Sequence, residues 1–123
     1  MGTETFAGRA ITLGYPWTIK VQMTPATVGD PPYFPDGVEL LAHVRYKTED
    51  TNILTTLSTL NQNIVRIDDN TISITVPGSA SENWKPGKVV LDLARTDVDP
   101  DTYVGIKLTV PTRLPVTRGQ TQP

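Results

Sequence analysis

The sequence predicts an all-β domain, an antiparallel immunoglobulin-like β-sandwich of about seven or eight strands with one short helical turn. Three observations carry this expectation. Apolar residues recur at every second position in several short segments, the mark of half-buried strands. Those segments follow one another at roughly ten-residue spacing, separated by Gly, Pro, Asp and Asn clusters. At 123 residues without cysteine, the chain has length for one core held by packing and hydrogen bonding alone.

Ala10–Leu13 reads as a short first strand, ended by Gly14 and Pro16. From Trp17 to Met23 the residues Trp17, Ile19, Val21 and Met23 share one face, and Thr18, Lys20 and Gln22 the other. Residues 24–37, TPATVGDPPYFPDG, carry four prolines and two glycines, which excludes regular structure and predicts a long loop. Asp36 and Gly37 then turn the chain into a strand over Val38–Lys47, whose outer face carries His43, Arg45 and Lys47. Ile53–Leu60 fits helical spacing at Ile53, Leu57 and Leu60, but its threonines favour a strand.

Ile64–Ile67 and Thr71–Val76 flank Asp68, Asp69 and Asn70, short polar residues suited to a tight hairpin turn. After Pro77 and Gly78, the residues Ser79, Ser81 and Glu82 offer caps for one helical turn that carries Trp84 to the core. Val89, Leu91 and Leu93 alternate with Val90, Asp92 and Ala94. Ile106, Leu108 and Val110, with Val104, alternate with Gly105, Lys107 and Thr109. These two final strands are joined by TDVDPDT. Pro111 and Pro115 argue against a central strand beyond Val110, so residues 111–123 are expected to leave the sandwich as an extended tail. One domain over residues 1–123 is expected.

Charge and motifs bear mainly on what the chain lacks. Eleven Lys and Arg against 13 Asp and Glu, a net charge of −2, give no electrostatic reason to expect nucleic acid. No stretch has the length and apolarity of a membrane span or a secretory signal, so synthesis in the cytoplasm is expected. Met1 and Gly2 open like a myristoylation signal, but Phe6 stands where that pattern has Ser or Thr.

Asp97, Asp99 and Asp101 resemble the start of a calcium loop, yet Thr102 and Leu108 occupy the positions of its glycine and its bidentate glutamate. An exposed acidic turn is expected instead. His43 is the lone histidine and falls on a polar strand face. The serines at 58, 73, 79 and 81 lack a nucleophile-elbow context. The pairs Asp68/Asp69 and Asp92/Asp97 read as turn and solvated face rather than as a glycosidase dyad. No enzymatic activity, metal or cofactor is expected.

Two segments suit contact with a partner. Pro32, Tyr33, Phe34 and Pro35 place two aromatics on a proline-stiffened loop, either to bury against a partner or to pack over the domain's own core. Arg113, Leu114, Val116 and Arg118 give the terminus a positive, partly apolar character, fitting either a loose end or an arm ordered on a neighbouring subunit.

Gly87, the Asp92–Leu93 step, the TDVDPDT turn, Gly105 and the closing Val116-Thr117-Arg118 follow LLAHVRYKTED, ILTTLST and TISITVP in order. Over Val38–Arg118 this layout resembles the small β-sandwich virion proteins of tailed bacteriophages, and is similar to the amino-terminal domain of the baseplate upper protein family. The long proline loop and the PTRLP segment depart from that pattern. The resemblance implies a virion structural or adaptor protein, held in a symmetric homo-oligomer and attached to tail, baseplate or capsid proteins. Two alternatives are a capsid decoration protein and, from a different class, a carbohydrate-binding module stacking sugars on Trp17, Trp84, Tyr33 and Tyr103.

Overall fold

The computed structural model describes residues 4–7 and 9–116, with side chains from Arg9 onward. In chain order the elements are β1 (Glu4–Ala7), β2 (Ile11–Thr12), β3 (Trp17–Gln22), β4 (Leu40–Arg45), β5 (Thr55–Ser58), β6 (Ile64–Asp68), β7 (Thr71–Val76), the helical turn α1 (Gly78–Ser81), β8 (Gly87–Arg95) and β9 (Thr102–Arg113). The described strands form two sheets. The larger runs β1-β9-β8-β4-β5, with β2 also on β9, and the smaller runs β3-β7-β6.

The two-sheet, all-β expectation holds, but the wholly antiparallel one does not. β1 and β2 are successive pieces of one edge, and both run parallel to β9. The larger sheet is therefore mixed, and the whole is not a clear immunoglobulin sandwich. A parallel neighbour needs no hairpin when the chain returns to it from the far end of the sequence, as β9 does here.

Alternation decides which side of each strand is buried. Leu40, Ala42 and Val44 of β4, Val89, Leu91 and Leu93 of β8, and Ile106, Leu108 and Val110 of β9 pack against Ile72, Ile74 and Val76 of β7 and Trp17 and Val21 of β3. Each of these side chains is removed from water, the main favourable term in folding. The β6–β7 hairpin forms as expected, and Asp68 Oδ1 accepts the Asn70 N–H at 2.8 Å across its turn. Ile53–Leu60 resolves as strand over β5 alone.

Three expectations are corrected. The tail does not begin at residue 111, because β9 continues through Pro111 to Arg113 between β8 and β2. Leu13 N–H donates to the Arg113 carbonyl at 2.9 Å. By the alternation of a strand, Pro111 then turns its nitrogen toward the same edge, opposite the break between Ala7 and Ile11. The proline thus falls where the neighbouring strand demands no donor.

Phe34 is fully buried and belongs to the core rather than to a partner surface. Its N–H donates to the Asp69 carbonyl at 3.1 Å, and its carbonyl accepts Arg66 Nε at 2.8 Å. The proline loop therefore wraps the β6–β7 turn and closes that side of the sandwich. α1 starts at Pro77 with no side-chain cap. Ser81 is buried instead and accepts the Gly14 N–H on its Oγ at 3.0 Å, binding α1 to the β2–β3 connection. A Cβ at Gly78 would come within 2.6 Å of the Gly14 carbonyl oxygen, so this approach requires glycine. Trp84 is carried to the core as expected.

Candidate functional site

A sheet edge is a row of unpaired backbone groups, and the four edges here are not treated alike. Beside β5, the Asn61 side chain accepts the Ser58 N–H at 3.1 Å and donates to the Thr56 carbonyl at 3.4 Å. Those are the outward-facing groups of β5, so this edge is closed locally. Beside β6 lies the Phe34 segment. On the opposite flank, among the described residues, β3 pairs with β7 alone. Met23 N–H donates to the Asn70 carbonyl, which sets the phase and turns the backbone groups of Thr18, Lys20 and Gln22 outward. Among the described residues β2 has β9 on one side only, and its outward Thr12 carbonyl accepts Tyr15 N–H. The open flank of the domain lies between β2 and β3.

A groove of about 680 Å³ occupies one end of that flank. Arg9, Ala10 and Thr12 form one wall, Tyr15, Pro16, Trp17 and Thr18 the other, and Arg113 and Pro115 close it. The turn that joins the walls is fixed by Tyr15 N–H donating to the Thr12 carbonyl at 3.0 Å and by Gly14, whose φ of 86° favours glycine. Below it Trp17 Nε1 donates to the Arg9 carbonyl at 2.8 Å. The Arg9 and Arg113 side chains are exposed, and neither forms an ion pair with a described residue. Among the described residues no acid lines the groove. It therefore suits an extended or turning segment that brings carboxylates.

The expected partner residues divide between two ends of the molecule. Pro32 and Pro35 are half-buried, and Tyr33 packs on the core with its ring 6.4 Å from that of Phe34. This cluster surrounds the β6–β7 turn. Arg113 and Pro115 belong to the groove at the other end, where Leu114 and Val116 are exposed. Arg118 lies outside the described residues. The structure does not bring the two clusters together. Arg9, Thr12 and Tyr15 carried no sequence signal, since only the parallel pairing of β2 with β9 sets them beside Arg113.

The other candidates take up structural places. Trp17 and Trp84 are buried, leaving Tyr103 as an exposed aromatic among the four proposed for sugar stacking. His43 is half-buried on the outer face of the larger sheet with Arg45, Asp92 and Lys107. Lys107 Nζ there donates to Thr48 Oγ1 at 2.6 Å. Among the described residues no group of three metal-ligating side chains converges. Asp97 is held by Arg95 through bonds of 3.1 and 2.6 Å. That hydrogen bonding draws its carboxyl pKa down to about 2. Asp99 and Asp101 remain exposed beside it.

No family model matches the chain. No curated protein matches it by sequence either.

Proposed function

We propose that this chain is a structural or adaptor protein of a tailed-bacteriophage virion, attaching to neighbouring tail, baseplate or capsid subunits by edge and groove contacts. Its work is binding, not turnover. The observation that carries this reading is the flank between β2 and β3, where among the described residues the outer side of β3 has no strand partner and a cationic groove lies beside the exposed Leu114 and Val116. One other feature supports it: Asn61 caps the β5 edge, while the outer side of β3 remains for a partner strand or segment. The layout of Val38–Arg118 adds the resemblance to phage sandwich proteins. In this reading the antiparallel strands from β3 to β9 form an immunoglobulin-like body, and β1 and β2 are an addition along its edge.

The contact segment of the terminus starts at Leu114, because residues 111–113 belong to the sheet. The test is deletion of residues 114–123, followed by detection of the chain in purified particles. The deleted protein is expected to melt like the full chain and to be missing from particles. Normal incorporation would remove the terminus from the docking surface. Absence of the intact chain from particles would overturn the virion assignment. Position on the shell rather than the tail would make it a capsid decoration protein.

A further inference from the structure

The folded chain separates its charges in a way the linear sequence conceals. The β4 start and the β8–β9 loop meet at one end, where Thr96 N–H donates to the Glu39 carbonyl. Glu39, Asp97, Asp99 and Asp101 lie on these two segments. The cation beside them, Arg95, is already engaged by Asp97. Asp99 and Asp101 are left exposed and without an ion pair among the described residues.

At the opposite end stands the Arg9–Arg113 groove, with Lys88 on the adjoining β8 register and no acid among the described residues of its lining. The two ends are the two termini of one strand, since β9 begins at Thr102 and finishes at Arg113. Twelve strand residues span roughly 36 Å at about 3.3 Å each. The acidic turn of one molecule therefore lies far out of reach of its own groove.

We propose that this chain self-associates head to tail, the Asp99–Asp101 turn of one copy entering the Arg9–Arg113 groove of the next. The occupant is a second copy because complementary, unneutralised charges stand at opposite ends of the same molecule. A contact joining two different patches is heterologous, so successive copies close into a ring or continue as a filament according to the rotation between them. Strand β9 of each copy then points toward that of its neighbour. The pairing is charge-led: it speeds and selects the encounter and weakens as salt is raised. The proposal shares with the function above the reading of the groove as a contact surface. Its test uses purified protein without particles, so the two fail separately.

The test is sedimentation velocity of the full chain from micromolar to millimolar concentration. The wild type is expected to sediment faster as concentration rises at low salt, and to lose that dependence near 1 M salt, where the screening length falls to about 3 Å. Two double variants reverse one pole each, R9E/R113E and D99K/D101K. None of the four side chains is buried, and the carbonyls of Arg9 and Arg113 keep their bonds, so both are expected to melt like the wild type. Each alone is expected to remain monomeric. An equimolar mixture of the two is expected to associate, since every reversed pole then finds an opposite one. A wild type that stays monomeric at low salt would overturn the proposal. So would single-pole variants that associate as the wild type does, or a mixture of two folded variants that stays monomeric.

Discussion

The indole of Trp17 donates to the Arg9 carbonyl at 2.8 Å, joining the first residue of β3 to the segment that precedes β2. This bond crosses the open flank below the groove and holds the two sheets in register where no strand pairing does so. Trp17→Phe keeps most of the apolar surface but leaves the carbonyl without that donor. A loss of about 1 kcal/mol is expected from a single partly buried bond, read as a lower denaturant midpoint with unchanged slope. Trp17→Ala is expected to cost about 3–5 kcal/mol, since it also empties a core position. Equal effects of the two substitutions would show that the bond, not the packing, dominates.

Gly105 interrupts the β8–β9 ladder. The register passes from Asp92 opposite Lys107 to Ala94 opposite Tyr103, so β9 carries extra residues against Leu93. Gly105 adopts a φ of 89° within that bulge. A Cβ there meets nothing within 4 Å, so Gly105→Ala isolates backbone strain from steric clash. The expected loss is roughly 1–2 kcal/mol in chemical denaturation. A neutral result would mean that the bulge relaxes to an ordinary φ.

The bulge, like the pairing partners of β9, had no legible cause in the sequence. What was legible depended on local chemistry: the alternation in β3, β4, β7 and β8, the Asp68–Asn70 turn, and the tryptophans on apolar faces. Pro111 misled because a proline's cost depends on its neighbour, and the break between β1 and β2 opposite it is a tertiary feature. Phe34 gave two readings because burial of a loop aromatic is decided by what the loop crosses, here the β6–β7 turn. Arg9 and Arg113 are over a hundred residues apart in the chain, so their shared groove had no sequence signal at all.

Asp97 gives the molecule a defined acid response. Hydrogen bonding from Arg95 lowers its carboxyl pKa to about 2 in the folded protein, below the ordinary aspartate value of about 3.9. A carboxyl depressed by folding stabilises the native state fully above its unfolded pKa, and that stability is lost as pH falls through the folded value. Between about pH 4 and pH 2 the wild type is therefore expected to lose stability that Asp97→Asn lacks throughout. The pair lies near the surface, so solvent screening holds the difference to about 1 kcal/mol or less. Melting curves of the two proteins are expected to converge toward pH 2; a constant gap across that window would remove the ion pair as its source.

The boundary between sheet and terminus is the sharpest consequence of β9's length. Removing residues 114–123 takes away no residue of β9, which ends at Arg113. The described part of that segment, Leu114 to Val116, includes exposed Leu114 and Val116. Removing residues 111–123 instead deletes buried Thr112, whose Oγ1 donates to the Lys85 carbonyl at 3.0 Å. It also takes away the Arg113 carbonyl that receives Leu13 N–H, the pairing of Thr112 with Gly87 and both residues that β2 pairs with. With each lost bond worth about 1 kcal/mol, the longer deletion is expected to cost at least about 3 kcal/mol, and the shorter one less than about 0.5 kcal/mol. Amide exchange adds a local readout, because Leu13 N–H is expected to stay protected in the shorter deletion and to exchange freely in the longer one. Equal stability of the two truncated proteins would contradict the strand assignment of residues 111–113 and return those residues to the terminus.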